Sequence, residues 1–81
     1  MIVVRNRDLG TLTIHNVTYD PHSGTTLVAF ESEAGKLWAS LSDIGALTIT
    51  DPAYPGLRWN AERFRPLIEE ALKLWAMRKE N

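Results

Sequence analysis

Apolar residues over the first fifty positions alternate with polar ones or gather in short β-branched stretches, whereas after residue 60 they recur every third or fourth position. The first pattern predicts strands and the second an amphipathic helix. Residues 1–5 are apolar and β-branched, and a polar turn segment follows at 6–10. Residues 11–19 are rich in Thr, Ile and Val, which suit a pleated surface. Their alternation carries a fault: Leu12 and Ile14 share one face, while Val17 and Tyr19 fall on the other. Since the side-chain period of a strand is two, the fault predicts a bulge near His15 and Asn16.

Residues 20–24 (Asp20, Pro21, His22, Ser23, Gly24) form a turn signal. The Asp carboxylate can fold onto nearby N–H groups, Pro fixes φ, and Gly tolerates a positive φ. Strands are predicted at 25–32 and 36–41, joined by Glu33, Ala34 and Gly35. That loop fits a type I turn closed by a left-handed glycine, which sets Phe30 opposite Trp38 and Ala29 opposite Ala39. A slip of one residue would instead gather Val28, Phe30, Ala39 and Leu41 on one face. Turn chemistry favours the first register, although the second has the cleaner apolar face. Residues 42–45 read as a short turn, or one helical turn capped by Ser42, and 46–50 as a further strand. Two prolines and a glycine make 51–56 a loop.

In the last third, Phe64, Leu67, Ile68, Ala71, Leu72 and Trp75 form one apolar stripe, with Glu69 four residues before Lys73 on the charged side. Asn60 is a natural N-cap, and Arg78 and Lys79 suit the negative end of the helix dipole. Pro66 clashes with regular helix interior, so either the helix proper starts near it or a turn at 61–65 leads in at an angle. The expected fold class is α+β: a four- or five-stranded, mostly antiparallel sheet with one C-terminal amphipathic helix packed on one face. Residues 1–81 make a single domain, with strands over about 1–50, the proline loop at 51–56 and the helix over about 61–79.

Composition narrows the function more than it names one. Apolar residues make up 44% of the chain and charged residues 23%, in the globular range. With no cysteine, disulfides, thiolate zinc sites and thiol nucleophiles are excluded. No apolar run spans a bilayer and the first residues lack signal-peptide character, so a cytosolic, non-membrane protein is expected. The net charge of −1 argues against broad nucleic-acid affinity. Its distribution is uneven: residues 1–57 hold three basic and six acidic side chains, and residues 58–81 six basic and four acidic.

Candidate chemistry is sparse. His15, Asp20 and His22 are a legitimate metal-ligand set by type, but their spacing matches no mechanistic signature and the turn explains Asp20 without a metal. None of the serines sits in a nucleophile elbow, and the isolated glycines make no phosphate loop. Glu31 and Glu33 read as a solvated face beside a hairpin. Catalytic residues, metal and cofactor are therefore not implied, and an enzyme built around His15 and His22 ranks last.

The aromatic residues carry the most functional content. Phe64 and Trp75 belong to the helix stripe and Phe30 to the central hairpin, which leaves Trp38, Tyr54 and Trp59. The last two flank the proline loop near Arg58, Arg63 and Arg65. Aromatics and arginines are enriched in protein interface anchors and also form stacking platforms for single strands. The plainer role for Trp59 is to pin the loop to the helix as part of the core. One helix cannot cover such a sheet, and small domains without disulfides often gain stability by association. The first expectation is thus a protein-interaction module: a homodimer, or an inhibitor or accessory protein of a larger complex, of a kind with small phage and mobile-element proteins. Its surface would draw on Trp38, Tyr54, Arg58, Trp59, Arg63 and Arg65. The alternative is a nucleic-acid binder using Arg58, Trp59, Arg63 and Arg65.

Overall fold

The computed structural model describes residues 2–8 and 10–79. Met1, Leu9 and the Lys79 side chain, to which the strand, turn and helix-end expectations extended, lie outside the described residues. Strands β1 (Ile2–Asn6), β2 (Gly10–Asp20), β3 (Thr25–Ser32), β4 (Gly35–Ser42) and β5 (Leu47–Thr50) precede a single helix, α1 (Ala61–Lys79). The strands form one antiparallel sheet in the order of the sequence. The helix packs on one face, nearest to β1, β2 and β5. This is the expected α+β architecture.

The bulge falls where the alternation breaks. Ile14 pairs with Phe30 and Asn16 with Ala29, leaving His15 as the extra residue. The shift returns Val17 to the face occupied by Leu12 and Ile14, where it packs against the core. At the next turn the Asp20 carboxylate accepts the His22 N–H at 2.9 Å and the Ser23 hydroxyl at 3.1 Å. Gly24 completes the turn with φ 66°, its N–H donating to the Asp20 carbonyl at 2.9 Å.

The β3–β4 hairpin differs from the register that turn chemistry favours. Gly35 has the expected positive φ, 113°, but it pairs with Ser32, so the loop is only Glu33 and Ala34. Phe30 consequently faces Leu37, and Ala29 faces Trp38. Burial of the apolar face decides the register: Val28, Phe30, Leu37 and Ala39 are all buried on the helix side. Ser32 suits the tighter loop, its hydroxyl accepting the Ala34 N–H at 3.1 Å.

The helix runs from Ala61 to Lys79 with Pro66 inside it, rather than starting at that residue. Pro66 has no N–H to give the Glu62 carbonyl, a cost set against one unbroken stripe: Phe64, Leu67, Ile68 and Ala71 are buried against Val4, Leu12, Ile14, Phe30, Leu37 and Ile49. Leu72 and Trp75 continue the stripe at the core margin. Asn60 stands at the N-cap position, and its carbonyl accepts the Arg63 N–H at 3.2 Å.

Candidate interaction surface

Among the described residues no element covers the sheet face turned away from the helix. Strand register arranges it in rows: Val3, Thr13, Glu31 and Lys36; then Asn16, Ala29, Trp38 and Thr50; then Thr18, Leu27, Ser40 and Thr48. Trp38 lies in the middle row and is 46% exposed, with Ala29 directly across from it and Leu27 on the adjacent row. Threonines and serines surround this apolar centre. Charges gather toward one border, where His15 Nε2 approaches Glu31 Oε1 at 3.5 Å and Lys36 stands opposite Glu31 in the strand register. An exposed indole set in short hydroxylated side chains has its ring open for packing and few charges to desolvate.

The residues grouped by sequence are divided by the structure. Tyr54 is 67% exposed in the 51–56 loop, a segment ordered by the Asp51 carboxylate, which accepts the Ala53 N–H at 2.9 Å. Leu57, which the sequence reading did not single out, is exposed beside it. Trp59 instead leans into the protein, its ring edge-on to Phe64 with centroids 6.2 Å apart. Its Nε1 is buried and, among the described residues, has no hydrogen-bond partner. Trp59 therefore pins the loop to the helix.

The arginines also face different neighbours. Arg65 makes a bidentate pair with Glu62, Nε to Oε1 at 2.8 Å and Nη2 to Oε2 at 2.7 Å, and Nη2 also donates to the Gly45 carbonyl at 2.7 Å. It clamps the first helical turn to the β4–β5 turn. The hydrogen bonds from Arg65 hold the Glu62 carboxyl below its ordinary range, and those to Glu62 hold the Arg65 guanidinium above its own. Arg63 lines a cleft of about 260 Å³ whose wall includes Asp8 and Glu33. Arg58 is exposed on the other side of Trp59, beside β5.

The histidines are not gathered either. His15 is on the open face, and His22 lies beyond Asp20 in the β2–β3 turn, about 17 Å or more along an extended strand. That end of the sheet is a knot of two turns: the Asp43 N–H donates to the Gly24 carbonyl at 2.9 Å, and the Tyr19 hydroxyl donates to Asp43 Oδ2 at 3.3 Å. The Asp43 charge pushes the Tyr19 phenol above its ordinary value. Among the described residues no three His, Asp or Glu are placed to hold a metal ion, and no helix is long and apolar enough to cross a membrane.

Val3 and Leu27 belong to the open face without having been marked by sequence. The signal for Leu27 was its alternation with Val28, usable only once the β3–β4 register is known. No protein-family model matches the chain, and no curated protein or solved structure matches it.

Proposed function

We propose that this chain is a small protein-interaction module that joins its own copy or a larger complex through the open sheet face, with Trp38 as the anchor. The observation that carries the reading is the half-exposed Trp38 at the centre of an uncovered, mostly uncharged face. Exposed tryptophans flanked by small side chains are the residue type that anchors protein contacts, and a specific contact buries roughly 1,000 Å² or more in total. Tyr54 and Leu57 supply further apolar surface at the loop. A nucleic-acid role through Arg58, Trp59, Arg63 and Arg65 draws less support, because Arg65 is engaged by Glu62 and Gly45 and the Trp59 ring packs on Phe64.

The test is a photo-reactive amino acid placed at position 38 of the chain expressed in its source cells, with the same probe at Lys73 on the charged side of the helix as control. A discrete protein adduct from position 38 and not from position 73 is the expected result. Equal or absent adducts at both positions would overturn the reading. In the purified complex, Trp38→Ala should weaken association by about 2 kcal/mol.

A further inference from the structure

Two further rows close the ends of the open face. Arg5 and Thr11 stand at the β1–β2 end, and Asp20, Thr25 and Ser42 at the β2–β3 end. The charged side chains that the strands place on this face, Arg5 and Lys36 against Glu31 and Asp20, cancel in sign. A strongly acidic or strongly basic partner finds no matching countercharge here. A second copy of the chain is balanced on this face in the same way and meets no net repulsion.

Size points in the same direction. Five strands spaced about 4.8 Å apart, carrying three central rows about 6.6 Å apart, span roughly 24 by 20 Å. A copy laid on that area would cover about 480 Å² of each sheet. The total of about 1,000 Å² lies where specific contacts begin. The face is also accessible: Val3, Leu27 and Trp38 are 48%, 38% and 46% exposed, and Asn16, Thr18 and Thr48 are exposed around them.

We propose that the occupant of the open face is a second copy of this chain, the two sheets packing face to face about a twofold axis that runs across the strands near the Trp38 row. This rests on the reading of that face as an interaction surface and names the partner. A twofold contact presents the same patch twice, so the direction of the axis decides which charges meet. An axis along the strands through β3 would set Glu31 on the copy's Glu31. An axis across them keeps Trp38 near the copy's Trp38 and Ala29, and brings the Arg5 end of one sheet over the Asp20 end of the other. Sheets packed face to face in this manner keep their strand directions within about 30° of each other. The core of each copy is complete without the other, so dilution gives a folded monomer.

Sedimentation of the purified chain over a concentration series tests the proposal. Expected is a reversible monomer–dimer equilibrium, weakened at least about tenfold by Trp38→Ala and about fivefold by Arg5→Glu, with both variants melting close to the parent at dilution. The chain has no cysteine, so Ala29→Cys, on the middle strand beside the axis, supplies one thiol per copy. A short bismaleimide should join two copies through it and not through Lys73→Cys on the charged side of the helix. A monomer at every concentration would overturn the proposal, as would a dimer indifferent to Trp38→Ala or one joined equally from both thiols. A dimer unmoved by Arg5→Glu would overturn the axis. If a monomeric chain still gives a discrete adduct with another protein from position 38, the open face stands as an interaction surface and only the second copy is lost. A monomer with no adduct from that position would remove both.

Discussion

Replacing Trp59 and Trp38 separately by Ala should give opposite results in stability and association. An aromatic side chain buries about 150–250 Å² when covered, and at about 25 cal/mol per Å² this amounts to roughly 4–6 kcal/mol. Trp59 is partly exposed, so about 3–4 kcal/mol of that is realised. The edge-on contact with Phe64 adds about 0.5–1.5 kcal/mol. Against this, the buried Nε1 without a partner carries a desolvation penalty of about 1–3 kcal/mol, which truncation relieves. The net cost of Trp59→Ala is about 2–3 kcal/mol, or a melting temperature lowered by about 10–20 °C in a domain of this size. Trp38→Ala, on a half-exposed strand position, should cost less than about 1 kcal/mol. Trp59→Phe should lie close to the parent, within about 1.5 kcal/mol, because it keeps a ring near Phe64 and removes the orphan donor. Thermal and urea melts followed by circular dichroism measure all three. A Trp59→Ala variant within half a kilocalorie of the parent, or a Trp38→Ala variant that loses as much, would refute this division of the two indoles into core and surface.

Two further outcomes follow from the turns and the helix clamp. Gly35→Ala adds a Cβ that meets no atom within 4 Å, so its cost should be backbone strain alone, about 1–2 kcal/mol; unchanged chemical denaturation would contradict the positive φ. The lowered Glu62 carboxyl makes a contribution that is complete above its ordinary value near 4.5 and lost as pH falls through the lower folded value. Melting temperatures measured across that acid range should fall less steeply in Glu62→Gln than in the parent, and superimposable slopes would remove the clamp from the stability account.

Local chemistry made much of this fold legible. The change of period near residue 60, the misaligned Val17 and Tyr19, and the Asp20 turn each depend on neighbours within a few positions, and each predicts the element observed. The β3–β4 register does not. A three-residue loop and a two-residue loop both satisfy Gly35 locally, and the choice belongs to the helix, which must be met by Val28, Phe30, Leu37 and Ala39 together. That one-residue difference moves Trp38 from the side of Phe30 to the side of Ala29, so the open face follows from the register with the cleaner apolar pattern and not from the one that turn chemistry favours. Pro66 was obscure for a related reason. Its local penalty is plain, but the packing of Phe64 and Leu67 on either side of it arises only when sheet and helix are both in place. The grouping of Arg58, Trp59, Arg63 and Arg65 by proximity likewise dissolves, because Arg63 and Arg65 are turned apart around the helix axis while Arg58 and Trp59 precede the helix.

The order of the sheet has a consequence for how the chain reaches its structure. Each strand lies beside the next one synthesised, so short turns bring together every pair in the sheet and little loop entropy is spent before contacts form. The exception is the final helix, which must return to β1 at the other end of the chain. During synthesis the whole ladder can therefore assemble while the stripe of α1 is still inside the ribosome, leaving Leu12, Ile14, Val28 and Phe30 uncovered. The last twenty or so residues act as a closing step, and a chain cut short before Phe64 would present that apolar face to its surroundings as a sticky, chaperone-dependent species.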